Sequence, residues 1–133
     1  MTAHSPSASG SPASRPTIEM DYTVLDCPDP QALARFYTAL LGWPSERDDP
    51  DWSVVRGPGG QGLAFQKSDE FVPLYWPREG IRIHLDLIVD DMDGASEYAV
   101  GLGARTVDDD ADHPGFRVFQ DPVGHLFCLC RRD

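Results

Sequence analysis

"DPDWSVVRGPGG" occupies residues 49–60 and "DHPGFRVFQDPVG" residues 112–124. Set side by side, the two stretches carry a Pro, an aromatic residue, a Val, a second Pro and a Gly in step. Alternating apolar residues running into a Pro/Gly cluster read as a strand entering a reversal. A pattern that recurs within one chain, with similar flanks, marks an internal repeat.

Working outward, each copy shows the same order of elements. In the first, a strand is predicted around Glu19–Asp26. Asp29 then caps a helix, with Pro30 at its first position and Gly42 just beyond its end. Leu33, Phe36, Tyr37, Leu40 and Leu41 fall on one apolar stripe of that helix. Short strands near Trp52–Arg56 and Leu63–Lys67 flank the turn "GPGGQG". In the second copy, a strand at Arg82–Val89 precedes a helix capped by Asp90 or Asp91 and ended by Gly103. Met92, Ala95, Ala99 and Leu102 supply its stripe, with Gly94 and Gly101 counting against it. Strands near Gly115–Gln120 and Leu126–Cys130 flank "DPVGH". With one short strand inferred after each helix, each copy is β-α-β-β-β. A single such module leaves one sheet face uncovered. The expected fold is therefore α+β: two βαβββ modules with mixed sheets curving around a central cup, where ligands are expected.

Residues 1–17, "MTAHSPSASGSPASRPT", lack apolar periodicity and read as a disordered tail. The folded domain is expected to span 18–133. Module one covers about 18–68, a linker about 69–80 and module two about 81–133. The linker, "DEFVPLYWPREG", carries Tyr75 and Trp76 near the expected rim of the cup. Deleting residues 1–17 is expected to leave the melting temperature and ligand binding unchanged. A large loss of either would mean that the tail docks on the fold.

The chain has 133 residues with 41% hydrophobic and 25% charged composition, enough for one modest packed core. Its formal net charge of -11 argues against a phosphate-backbone partner and allows a cationic ligand. No apolar run approaches the ~20 residues of a membrane span, and no basic start leads into a secretory core. Cys27, Cys128 and Cys130 are odd in number and lack zinc-knuckle spacing, so a reducing, cytoplasmic setting is expected. In the ending "CRRD", Arg131 and Arg132 stand where a prenylation signal needs aliphatic residues.

"IRIHLDLIVDD", residues 81–91, carries the chemistry. Residues two apart on a strand share a face, so His84 and Asp86 lie together, opposite Ile83, Leu85, Leu87 and Val89. Two readings are open. The pair is a hydrogen-bonded element that fixes the sheet, or it faces a ligand, with His84 carrying a proton and Asp86 orienting it or holding a cationic group. Cys128 near His84 raises the question of a thiolate nucleophile, against the plainer reading of a small buried residue. Trp52 and Phe116 hold matching repeat positions and read as packing residues whose faces could line the cup. Trp76 reads as a linker anchor or a cover over the ligand.

The paired modules, together with "DCPDPQALARFYTALLGW", "LAFQK", "WPREGIRIHLDLIVDDMD" and "DPVGHLFCL", resemble the glyoxalase-like branch of the vicinal oxygen chelate superfamily. The resemblance runs from about residue 18 to the end. It implies a site in the cup formed by the first and last strands of each module, which here places Tyr22, Gln66, His84 and Cys128. Enzymes of that superfamily usually hold a divalent ion there with His, Gln or Glu. Tyr22 and Cys128 are poor substitutes for those donors, so no catalytic metal is expected. What the resemblance implies is a protein that binds a small organic molecule through Tyr22, Gln66, Trp76, His84, Asp86 and Cys128. Whether it catalyses anything, with His84 and Asp86 as the reactive pair, stays open. The alternatives are a metal-dependent lyase, isomerase or dioxygenase and a drug-sequestering protein of the bleomycin-binding type. A homodimer is a further expectation; nucleic-acid and membrane partners are not expected.

Overall fold

Both repeats fold as their punctuation requires. The structure, a computed structural model, describes residues 15–17, 19–72 and 84–131. Most of the tail, and the linker positions Tyr75 and Trp76, lie outside the described residues. In chain order the elements are β1 (Tyr22–Cys27), α1 (Pro30–Leu41), β2 (Ser45–Asp48), β3 (Trp52–Arg56) and β4 (Gly62–Lys67). They continue with β5 (Leu85–Val89), α2 (Met92–Gly101), β6 (Arg105–Asp108), β7 (Phe116–Gln120) and β8 (Leu126–Arg131). The short strands inferred after each helix are β2 and β6. β1 starts at Tyr22 rather than Glu19. β5 starts at Leu85, leaving His84 just ahead of it; residues 82–83 of the predicted strand lie outside the described residues.

The two four-stranded sheets have the same order, β1-β4-β3-β2 and β5-β8-β7-β6. In each, the first strand runs parallel to the last and the other pairs are antiparallel. The fold is α+β with two modules, as the repeat predicts.

Local chemistry sets the helix limits. The Asp29 carboxylate accepts the Ala32 N–H at 3.2 Å, Pro30 sits in the first turn, and the Gly42 N–H returns to Thr38 O at 2.9 Å. Each such cap is worth about 1 kcal/mol. Asp91, rather than Asp90, caps α2 by accepting from the Gly94 N–H at 3.0 Å. A Cβ on Gly94 would stand 2.3 Å from an Asp91 carboxylate oxygen. The glycine that lowers the helix propensity is therefore what lets the cap close.

One core runs through both modules on the helix sides of the sheets. Leu25, Leu33, Phe36, Tyr37 and Phe65 from the first module join Met92, Ala99, Phe119, Phe127 and Leu129 from the second. Phe127 stacks on Phe119 at 5.5 Å and meets Phe36 at 6.2 Å. A polar joint lies beside these rings. The Tyr37 hydroxyl donates to Asp121 Oδ2 at 2.8 Å, and Asp121 Oδ1 accepts the N–H groups of Val123, Gly124 and His125 at 2.9–3.0 Å. Burial pushes the Asp121 carboxyl above its ordinary range while these donors pull it back; burial and the adjacent carboxylate push Tyr37 well up. The Tyr98 hydroxyl adds a bond to the Ala39 carbonyl at 2.8 Å, tying α2 to α1. With the helix sides spent on this core, side chains available for chemistry stand on the opposite sheet faces.

Candidate functional site

On the open face of the first sheet, cross-strand pairing sets three rows: Tyr22, Gly62 and Arg56; Val24, Ala64 and Val54; Asp26, Gln66 and Trp52. The small residues Gly62 and Ala64 leave room for rings to lie down. A Cβ on Gly62 would stand 2.8 Å from both the Tyr22 ring and Arg56 Nη1. Tyr22 meets Trp52 edge to face at 5.9 Å, and the Arg56 guanidinium lies 4.8 Å from the Tyr22 ring centre. Arg56 donates twice to Glu46, at 2.9 and 3.1 Å, and the Tyr22 hydroxyl donates to Glu46 at 3.3 Å. The Arg56 bonds hold the Glu46 carboxyl below its ordinary range. Trp52 thus contributes to the open face rather than to the helix-side core.

The second sheet places Asp86 beside Cys128 and Val118, and Ile88 beside Cys130 and Phe116. His84 Nε2 lies 3.1 Å from Asp86 Oδ1, and both side chains are exposed. Donor atoms of His84, Asp86 and Cys128 lie within 4.8 Å of one another. Beneath them Val118, Leu126 and Cys128 form a small buried cluster with Phe116, Val107 and Cys130 against it. Burial, reinforced by the neighbouring Asp86 carboxylate, pushes the Cys128 thiol up to about 12, and the same two causes raise Cys130. Both shifts disfavour the thiolate that the nucleophile reading of Cys128 requires. Phe116 stacks on His113 at 4.0 Å, and hydrogen bonding to Asp108 raises the His113 pKa.

A groove of about 630 Å³ opens along β1, walled by Tyr22, Val24, Asp26, Glu70, Phe71 and His125. Phe71 and His125 pack ring to ring at 5.2 Å, and His125 Nε2 reaches the Asp26 carbonyl at 2.5 Å. No sequence signal singles out Glu70, Phe71 or His125. The first two sit in the linker and the third in a turn, and only the fold brings them to β1.

The family-type donor positions are therefore split. His84 and Cys128 share one sheet with Asp86, while Tyr22 and Gln66 lie on the other. Equal sequence spacing pairs Tyr22 with Gln66 and His84 with Cys128. The register instead puts Gly62 opposite Tyr22, Asp26 opposite Gln66 and Asp86 opposite Cys128. Tyr22 is engaged by Glu46 and Arg56, and a thiol suits soft ions. This donor set does not fit the hard divalent ion that the resemblance implies. Trp76 lies outside the described residues.

Two βαβββ modules with a common helix-side core and chemistry-bearing open faces define the class. The Glyoxalase-like domain family profile matches residues 22–130, and the chain belongs to that family and to the vicinal oxygen chelate superfamily. Similar folds include a glyoxalase/bleomycin resistance protein/dioxygenase family enzyme from Burkholderia phytofirmans PsJN. It is 19% identical with a TM-score of 0.67, over 84% of this chain and 96% of that one. A glyoxalase-related enzyme from Fulvimarina pelagi is 23% identical with a TM-score of 0.64, over 86% and 88%. A glyoxalase/bleomycin resistance protein/dioxygenase from Nocardioides is 25% identical with a TM-score of 0.61, over 90% and 85%. No curated protein matches the chain. Among the described residues, no helix is long and apolar enough to cross a membrane.

Proposed function

We propose that the chain binds a small organic molecule, neutral or cationic, on its open sheet faces. The groove along β1 carries this reading: its size falls in the range of small-molecule sites, and its wall mixes apolar surface with a few polar groups. Asp26 and Glu70 there, together with the net charge of -11, favour a cationic group. Tyr22 offers the edge of an aromatic platform, with Gln66 one row beyond Val24. His84 and Asp86 supply hydrogen bonds from the second sheet, Cys128 is part of the floor, and Trp76 is a further proposed ligand contact.

Sequestration without turnover, of the kind that the names of the bleomycin-resistance relatives suggest, is the alternative reading. In an enzyme of the same build, His84 would carry the proton and Asp86 would orient it. Val24 and Ile88, 43% and 60% exposed on the open faces, support a homodimer in which a second copy closes the cup. Three free cysteines fit a cytoplasmic setting.

Native mass spectrometry of the purified chain identifies the ligand, and calorimetry of variants tests the site. His84→Ala, Asp86→Asn and Trp76→Ala are each expected to weaken binding by about 1–3 kcal/mol, the scale of an unpaired buried group or a lost aromatic contact. Unchanged affinity in folded variants would remove His84, Asp86 and Trp76 from the ligand site. Collapse of the fold in His84→Ala or Asp86→Asn would assign the pair to structure.

A further inference from the structure

We propose that the second module holds a further small-molecule site, a pocket at the end of its sheet that takes a planar aromatic carboxylate. The internal repeat reveals it. The turns after β3 and β7 are built alike: the Gly57 N–H donates to Gln61 O at 2.7 Å, and the Asp121 N–H to His125 O at 2.8 Å. Pairing of Ser45 with Val55 and of Thr106 with Phe119 makes Trp43 and Ala104, each two residues earlier, counterparts. In the first module the Trp43 indole lies so close to its turn that a Cβ on Gly57 would stand 2.6 Å from the ring. Ala104 brings no ring to the corresponding turn of the second module. Beside that turn lies a pocket of about 300 Å³, lined by Gly103, Arg105, Gln120, Pro122 and Gly124. That volume is at the lower end for small-molecule sites and suits one ring with a short acidic arm.

Arg105 supplies the charge. Its Nη2 donates to the Gln120 side-chain oxygen, and the Gln120 amide donates to Gly124 O at 3.4 Å. Gln120 is 3% exposed, so a buried side chain fixes the guanidinium at the pocket wall. Arg56, Arg117 and Arg131 each meet a carboxylate, whereas Arg105 meets none among the described residues. A planar fork with donors to spare matches a carboxylate in two-point geometry. The Asp121 carboxylate also borders the pocket, but it is buried and its oxygens are engaged by Tyr37 and the turn amides. The net charge of -11 acts through solvent and is screened within about 10 Å, whereas the Arg105 contact is direct. The pocket shares no residue with the groove along β1, and the site does not rest on the reading of that groove.

The test is amide chemical-shift mapping of the full chain by nuclear magnetic resonance. Indoleacetate is the probe and uncharged indoleacetamide its control. The acid should shift the amides of Gly103, Arg105, Val123 and Gly124 saturably and leave those of Val24 and Phe71 unmoved. It should bind at least ~10-fold more tightly than the amide, the scale of a charge-assisted contact. Arg105→Gln, at an exposed position, should lose that preference and keep a folded spectrum. Ala104→Trp should fill the pocket with the ring its counterpart carries and abolish binding; should the bulk prevent folding, Arg105→Gln carries the test alone. No saturable shift, shifts confined to the β1 groove, equal affinity for acid and amide, or an undiminished preference in Arg105→Gln would overturn the assignment. The Val24 and Phe71 amides report the groove separately, so either reading can fail alone.

Discussion

Asp121→Ala is expected to destabilise the chain by about 3–5 kcal/mol, the range for removing one partner from a buried polar network. Asp121 is 3% exposed, and its two oxygens accept four hydrogen bonds, one from Tyr37 of the other module. Truncation leaves the buried Tyr37 hydroxyl and the turn amides without that acceptor. For a domain of this size the loss corresponds to roughly 10–20 °C in melting temperature. Asp121→Asn keeps the shape and one acceptor oxygen, so it should fall between wild type and alanine. Tyr37→Phe removes only the donor and should cost about 1–2 kcal/mol. Urea unfolding of all three variants reads the order directly. A loss below about 1 kcal/mol for Asp121→Ala would mean that solvent replaces the joint at little cost.

The joint also marks where sequence stops being informative. Helix 30–41 was legible because its signals are local: Asp29 caps, Pro30 starts, Gly42 ends. The repeat was legible because Trp52 and Phe116, Val54 and Val118, and the turn glycines recur in step. The apolar stripe correctly put Tyr37 on a buried face, yet a stripe names no partner, and Asp121 reads from sequence as an ordinary turn residue.

Site residues follow the same division. Period-two alternation placed His84 and Asp86 together, since that depends on one strand. Their neighbours depend on register, which equal spacing does not supply. The two hairpins pair alike, Arg56 with Gly62 and Gln120 with Leu126, but the segment between the first and third strands differs in length between the modules. Pairing therefore puts Cys128 beside Asp86 and Gln66 beside Asp26 rather than Tyr22. Tyr22 was visible as a candidate. Its engagement by Glu46 and Arg56 was not, because those residues come from β2 and β3 and carry no motif.

Phe127→Ala should cost about 3–5 kcal/mol, the range for deleting a fully buried aromatic side chain. The ring is 0% exposed, stacks on Phe119 and touches Phe36 of the first module, so truncation opens a cavity where the two modules share their core. The Phe119 pair adds about 0.5–1.5 kcal/mol beyond area alone. Phe127→Leu keeps most of the volume and should recover the larger part of the loss. Because the core is continuous, both variants should still unfold in one urea transition, with the midpoint lowered and the slope unchanged. Two separated transitions in the alanine variant would show that each module holds its own stability, and that the ring only fills space between them.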